Sequence, residues 1–373
     1  MIKIGIECES IEETQTWGVA RGINKLLEEL SRRPELGNEF KFFLYFKARI
    51  PDYPYLASPL FVKKIVRLPF LPRSFSIYYY LLLPIKLWFE GLDMMYFPNY
   101  MLPLIHRGRS LVLLTDDIYY EMRNRQLPLR YRLAYRIFAG RAAGRATCVM
   151  ALSESSKQAL VKLFKISPAR ITVNHLGATT TAISDWQLAI GDYLLYVGQA
   201  FPRRHLRETI LAFEKILPEF PELELVAIGA DKYNPPVIEN LVAQVNQRAG
   251  SKVVVHHNYV GDDELAALYA NAKALVYVSD REAFGLPPLE ALSYGIVPIV
   301  AEAEVNREIY GDNAFFVKNG NSINTIATAM KTALANKAKI KQIKLAAPEI
   351  LKRYTWKAHT DRFLEIIREM TNA

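Results

Sequence analysis

Twelve short runs of β-branched and apolar residues, separated by segments of helical periodicity, constrain this chain more than any other feature of its sequence. The strand candidates are Lys3–Cys8, Lys41–Phe46, Met94–Phe97, Leu111–Thr115, Thr147–Ala151 and Ile171–Asn174. A second series follows: Tyr193–Val197, Glu224–Ile228, Val253–His256, Ala274–Val278, Val297–Val300 and Ala314–Val317. In the gaps, apolar residues recur every three or four positions, as over Val19–Leu30, Arg130–Ala143, Ser155–Phe164, Leu206–Leu217 and Asp263–Asn271. Such alternation builds parallel sheets covered on both faces, because each parallel crossover lays a helix across the sheet. A β-sandwich or a helical bundle would not read this way.

The chain has 373 residues, which suits two domains of ordinary size. One alternating series ends and another starts around Gly177–Asp192, across the polar run ATTTAISD. The expected domains are therefore residues 1–178 and 190–350. Each is Rossmann-like and doubly wound, and the two face each other across a cleft lined by the carboxyl ends of their strands, where such folds bind ligands. Arg49 to Trp88, rich in Pro, Tyr, Leu and basic residues, reads as an insertion or lid rather than part of a sheet.

Half of the residues are apolar and the mean hydropathy is +0.02, a core-burying composition. The longest apolar stretch, Ile77–Ile85, is much shorter than the roughly 20 residues of a spanning helix and contains Pro84. Cys8 and Cys148 lie far apart, so no disulfide framework is expected; with the strand-like opening IKIGIE this points to a cytoplasmic chain without a signal peptide. The net charge of +9 is uneven: residues 1–180 carry +11 and the remainder −2. That excess reads either as a solvated basic surface or as attraction to anionic lipid or a phosphate-bearing acceptor. No helix-turn-helix, zinc or RNP-type signature accompanies it, so nucleic acid is not an expected partner.

The segment richest in chemistry is SDREAFGLPPLEALSYGIVPIV, Ser279 to Val300. Ala283–Phe284–Gly285–Leu286 makes the turn from a strand into a helix whose apolar positions start near Leu289. Gly285 lets the backbone approach a ligand closely. The amides and dipole of the helix start favour a phosphate. Glu282 before the turn can reach a sugar hydroxyl, and Glu290 inside the helix can accept from a ribose. Taken alone, a glutamate at a helix start also reads as a cap or dipole partner. A second segment, YVGQAFPRRHLRETILAF from Tyr196 to Phe213, is a strand, a glycine turn at Gly198 and a basic helix start. Arg203 and Arg204 suit a diphosphate, since guanidinium matches phosphate oxygens bidentately; alone, they also read as two exposed arginines.

The two segments together resemble family 4 (group 1) retaining glycosyltransferases of the GT-B fold, whose donor signature is a Glu-x7-Glu motif written much like EAFGLPPLE. The resemblance implies that Glu282 contacts the transferred sugar and Glu290 the ribose. It places Arg204 at the family's usual Lys and His205 at its usual Asn. Tyr259–Asp280 resembles the stretch before the donor loop, with backbone around Val260 against the base. ALSESSKQAL from Ala151 resembles a strand-to-helix crossing of the first domain. Trp17–Gly18 resembles a glycine loop near the phosphates. Arg353–Trp356 resembles the start of the last helix, implying that residues 355–373 return to the first domain. One departure stands out. Where relatives carry His-Asp, this chain has Asp116–Asp117, so Asp116 is a candidate for orienting a sugar or acting on the acceptor, and equally a helix N-cap.

No Asp-x-Asp triplet or metal-ligand spacing occurs in the sequence, so neither metal nor other cofactor is expected, and Arg203, Arg204 and helix-terminal amides are left to meet the leaving-group charge. The expected partners are a GDP- or UDP-linked hexose, mannose mildly preferred, a glycan or lipid-linked glycan acceptor, and an anionic membrane touched peripherally at the inner face of the cell membrane. The pathway the resemblance implies is bacterial surface polysaccharide synthesis. A noncatalytic sugar-nucleotide-binding subunit, a sugar-nucleotide epimerase and a phosphorylase are the alternatives.

Overall fold

A computed structural model describes residues 1–12, 18–67, 74–123, 129–178 and 192–372. Trp17 and most of the polar run between the two strand series lie outside them. The chain divides into two compact units, Met1–Leu176 with Trp356–Ala373, and Gly177–Thr355.

The first unit contains β1 (Ile2–Glu7), β2 (Phe40–Phe46), β3 (Phe61–Ile65), β4 (Met94–Phe97), β5 (Ser110–Leu113), β6 (Cys148–Ala151) and β7 (Ile171–Val173). They form one parallel sheet in the order β3-β2-β1-β4-β5-β6-β7, with Ile4 in register with Phe42 on one side and Met94 on the other. β4 and β5 are buried along their whole length, as strands covered on both faces must be. The helix Val19–Ser31 buries Ala20, Ile23, Leu26, Leu27 and Leu30, the three- and four-residue spacing of one helical face. Each large side chain so buried is worth about 1.5–3 kcal/mol. The last helix, Trp356–Asn372, packs within this unit: Phe363 meets Tyr96 edge-on, and Arg368 pairs with Glu39 through two bonds of 2.7 Å.

Arg49–Trp88 is not an irregular insertion. It supplies β3, which pairs in parallel with β2 from Phe61↔Phe42 to Ile65↔Phe46. Helical turns from Phe75 to Trp88 then bury Tyr78, Tyr79 and Leu83. The strand escaped the sequence pattern because it is an edge: FVKKI buries Phe61 and leaves Lys63 and Ile65 exposed. Charge on an edge strand keeps it from pairing with other chains, and it erases the apolar run that marks an inner strand.

The second unit contains β8 (Tyr193–Val197), β9 (Glu224–Ile228), β10 (Val254–His257), β11 (Ala274–Tyr277), β12 (Val297–Ala301) and β13 (Phe315–Val317), all parallel, in the order β10-β9-β8-β11-β12-β13. β8, β11 and β12 are wholly buried. In both sheets the strand order reverses beside the first strand, between β1 and β4 and between β8 and β11. Each reversal opens a crevice at the carboxyl ends of the strands. Among the described residues no helix is long and apolar enough to cross a membrane.

Candidate active site

β8 and β11 are neighbours at the switch point of the second sheet, and the loops leaving their carboxyl ends carry the residues singled out above. Gly198 follows β8 directly, and Pro202–Arg204 makes a single turn before the helix Leu206–Ile216. Ser279–Glu282 follows β11. The two loops meet in an ion pair. Arg204 Nε donates to Glu282 Oε1 at 2.6 Å and Nη2 to Oε2 at 3.1 Å, a bidentate fork between residues 78 positions apart. Ser279 Oγ donates to Oε1 at 3.0 Å, and Arg204 Nη1 to the Gln199 carbonyl at 3.3 Å. Burial opposes ionisation of Glu282. The Arg204 charge overcomes it, assisted by Arg203 and a hydrogen bond from Tyr277, and holds the carboxyl at about 2. Glu282 is therefore a fixed carboxylate, an acceptor of hydrogen bonds and not an acid. Arg204 is engaged by this pair, and the guanidinium of Arg203 lies over Phe201 at 4.7 Å, its Nε donating to the Arg281 carbonyl at 3.4 Å.

The helix after Glu282 begins at Leu286, three residues earlier than its apolar periodicity indicates, and runs to Ser293. Gly285 caps it in the left-handed region, φ +89°. Pro287 and Pro288 fix the first turn and carry no N–H. Of the first four amides at this helix start only those of Gly285 and Leu286 exist to donate, so an anion here is met by two amides rather than four. Ala283 and Phe284 are buried, with Phe284 edge-on to Tyr354 at 5.6 Å. Glu290 is buried on the inner side of the helix and accepts from Tyr269 Oη at 3.1 Å, with Tyr269 stacked on Tyr294. Val260 lies in the same apolar cluster as Tyr269.

Two supports of this site were not read from the sequence. Gly229, after β9, has φ +140°, and a Cβ on it would sit 2.0 Å from the Gly198 carbonyl oxygen. The loops leaving β8 and β9 thus touch backbone to backbone, with Gly198 N–H donating to the Ile228 carbonyl at 2.8 Å. The other support is His205. It holds φ +48°, where Asn and His are better tolerated than most side chains, and this accounts for an Asn-like position in a turn. Its Nε2 lies 2.8 Å from Asp280 and its Nδ1 3.6 Å from Glu208. Gly320 leaves room for the ring: a Cβ there would fall 2.5 Å from His205 Cδ2. Only the glycine in each turn and the Ser-Asp pair after β11 hinted at these contacts.

Burial favours neutral His205, yet the Asp280 and Glu208 carboxylates outweigh it and raise the imidazole from 6.5 to about 9. A raised folded-state value contributes stability that is complete below the unfolded value and vanishes as pH rises through the folded one. Stability is therefore expected to decline between about pH 6.5 and 9, by about 1–2 kcal/mol after allowing for solvent at half-exposed Asp280. Thermal melts across this range check it. His205→Asn, which tolerates the backbone and carries no proton, is expected to flatten the profile.

In the first unit, Gly18 caps the helix Val19–Ser31 with φ +43° and open space around it. Asp116 occupies the N-cap position of the helix Asp117–Glu121 but makes no capping hydrogen bond to it, contrary to the capping alternative. Its Oδ1 accepts from Ser156 Oγ at 2.7 Å instead, tying the loop after β5 to the helix after β6. Glu7, at the carboxyl end of β1, was not singled out either. It is fully buried, accepts from the Glu9 amide at 2.8 Å and from Tyr78 Oη at 3.3 Å, and is pushed up to about 8 by burial. A neutral carboxyl group thus stands at the switch point of this sheet.

Two doubly wound parallel sheets, each with its ligand-binding edge at a switch point, define the GT-B class. Solved structures share the fold across the chain. WaaG, a glycosyltransferase involved in lipopolysaccharide biosynthesis, matches with a TM-score of 0.74 and 18% identity over 98% of this chain and 99% of that one. HepE of Anabaena, solved in complex with UDP-glucose, matches with a TM-score of 0.72 and 16% identity over 99% and 100%. Residues 188–349 match the family of glycosyl transferases group 1. The O-antigen chain mannosyltransferase B of Escherichia coli is 28% identical over 202 residues, 51% of this chain and 52% of that protein. The chain spans about half the length of this relative.

Proposed function

We propose that this protein transfers a hexose from a nucleotide sugar to a glycan or lipid-linked glycan, with retention of anomeric configuration and without a metal ion, in the synthesis of a bacterial surface polysaccharide. The observation that carries this reading is the part-buried Arg204–Glu282 pair at the switch point of the domain that matches the group 1 family. A carboxylate held ionised at about 2 accepts hydrogen bonds from sugar hydroxyls without protonating them. Arg203 and the Gly285 and Leu286 amides then stabilise charge developing on the departing diphosphate. Glu290 receives the ribose, and Asp116 and Gly18 belong to the acceptor and phosphate side. Relatives support the substrate class: HepE was solved with UDP-glucose, and the Escherichia coli relative is an O-antigen mannosyltransferase, which favours mannose. The basic first half of the chain favours peripheral contact with an anionic membrane.

Nucleoside diphosphate release from a panel of GDP- and UDP-hexoses tests this reading. Slow hydrolysis of one donor, unchanged by EDTA, is the expected result. The engagement of Asp116 by Ser156 favours one second reading, a sugar-nucleotide-binding subunit without turnover. Saturable donor binding with no release in the presence of any acceptor would select it. No binding across the panel would refute both.

A further inference from the structure

We propose that Asp52 and Tyr53, on the loop that leaves β2, form a subsite for one sugar ring of the acceptor glycan. The C–H face of the ring lies on the Tyr53 phenol, and its hydroxyls donate to Asp52. This deepens the acceptor side of the reading above and rests on it. The loop follows the carboxyl end of β2, beside the loop that leaves β1, so the subsite is on the ligand-binding edge of the first sheet.

Glu12 fixes the loop there. It is buried after β1, its carboxylate accepts from the amides of Lys47, Ala48 and Arg49, and its carbonyl accepts from Arg49 Nε at 2.9 Å. Pro51 and Pro54 restrict the backbone on either side of Asp52 and Tyr53. Pro54–Ala57 then makes a helical turn against the helix Val19–Ser31, where Tyr55 Oη donates to Asn24 Oδ1 at 2.6 Å. Tyr53 stacks on Tyr55, with ring centroids 5.4 Å apart and planes 11° from parallel. One face of Tyr53 is thus backed by an anchored ring, while the residue stays part-exposed. A ring held in this way loses little freedom when a ligand covers it. Asn24 lies six residues past Gly18, about 9 Å along the helix axis, so the subsite grips the acceptor at a distance from the Gly18 turn.

The charges at this edge select a neutral ligand. Lys47 Nζ pairs with Glu9, and the Arg49 guanidinium is turned onto the Glu12 carbonyl, so both cations are engaged within the loops. The group left exposed beside Tyr53 is the Asp52 carboxylate, which has no ion-pair partner among the described residues. A phosphate would be repelled by it, and an apolar partner would bury it unpaired. A sugar ring suits both groups. Its C–H hydrogens, slightly positive, meet the negative face of the phenol, and its hydroxyls form charge-assisted hydrogen bonds to the carboxylate.

Calorimetric titration of the full chain with mannotriose and with maltotriose, two neutral oligohexoses, tests the subsite. Saturable binding of at least one is expected. Tyr53→Leu is expected to weaken it about tenfold, the contribution of one aromatic face, whereas Tyr53→Phe keeps the face and is expected to keep wild-type affinity. Asp52→Ala, a change at an exposed position, is expected to lose about tenfold as a charge-assisted hydrogen bond disappears. Melting curves report the folding of each variant, and Asp52→Ala decides the matter if Tyr53→Leu does not fold. Absence of binding by the wild type would overturn the proposal. So would equal affinity in Tyr53→Leu or Asp52→Ala, or a loss in Tyr53→Phe as large as in Tyr53→Leu. Displacement of the oligosaccharide by guanosine or uridine would also overturn it, since that describes a base platform. Nucleoside diphosphate release by the wild type is read in parallel. A chain that releases diphosphate from a donor but shows no dependence on Tyr53 refutes this subsite alone. One that binds oligosaccharide through Tyr53 but neither binds nor turns over any donor refutes the transferase reading alone.

Discussion

Glu282→Ala is expected to remove donor turnover, by about 100- to 1000-fold at least, the loss typical of one preorganised group beside developing charge. It is also expected to destabilise the second unit by about 1–3 kcal/mol, because a part-buried arginine is left without its counter-charge. These effects are separable. Arg204→Met combined with Glu282→Leu replaces the pair with apolar side chains of similar volume and is expected to recover most of the melting temperature, since a buried ion pair contributes little net stability over a well-packed apolar substitute. Turnover is expected to stay lost. Melting curves and nucleoside diphosphate release on the three proteins distinguish the cases. Turnover that survives in Glu282→Ala, or returns in the double variant, would show that the carboxylate is scaffolding only.

Gly229→Ala is the second substitution with a large expected effect. A methyl group there has nowhere to go: the Gly198 carbonyl oxygen lies 2.0 Å from the Cβ position and the carbonyl carbon 2.4 Å. Backbone cannot swing aside as a flexible side chain can, and φ +140° is itself unfavourable to an L side chain. The chain would have to part β8 from β9 at their carboxyl ends, where Gly198 N–H meets the Ile228 carbonyl. A loss of about 4 kcal/mol or more is expected, at the extreme of single substitutions. Donor affinity should fall with it, because Gly198 precedes the turn that carries Arg203 and Arg204. Gly250→Ala serves as a control. It too has positive φ, +72°, but a Cβ there meets nothing within 4 Å, so only the modest backbone cost is expected. Equal melting temperatures for the two variants would contradict the crowding described here.

The fold was legible because inner parallel strands are buried on both faces and read as unbroken apolar runs. β8, LLYV after Tyr193, and β12, VPIVA, are of this kind. β3 is not, since an edge strand is half charged, and its neighbours in sequence are prolines and tyrosines. The start of the donor-loop helix was misplaced for a related reason. Pro287 and Pro288 look like a break in an apolar pattern, but proline is at home in a first helical turn. The same two prolines reduce the amides available to an anion, a consequence visible only once the helix start was located.

What the sequence by itself determined is local: the alternation of strands and helices, the glycine turns after β8 and before the Leu286–Ser293 helix, and the two basic and acidic segments that carry the chemistry. Periodicity and turn residues act over a few positions, so they can be read without knowing the partner. Tertiary structure alone decided that Arg204 spends two of its donors on Glu282, that Glu282 is thereby locked as a carboxylate, that His205 is charged by Asp280 and Glu208, and that Gly229 must lack a side chain. Each of these depends on crossovers that set β8 between β9 and β11, which places residues tens of positions apart within a few ångströms. Charge states and steric limits are properties of that juxtaposition, and no window along the chain contains it.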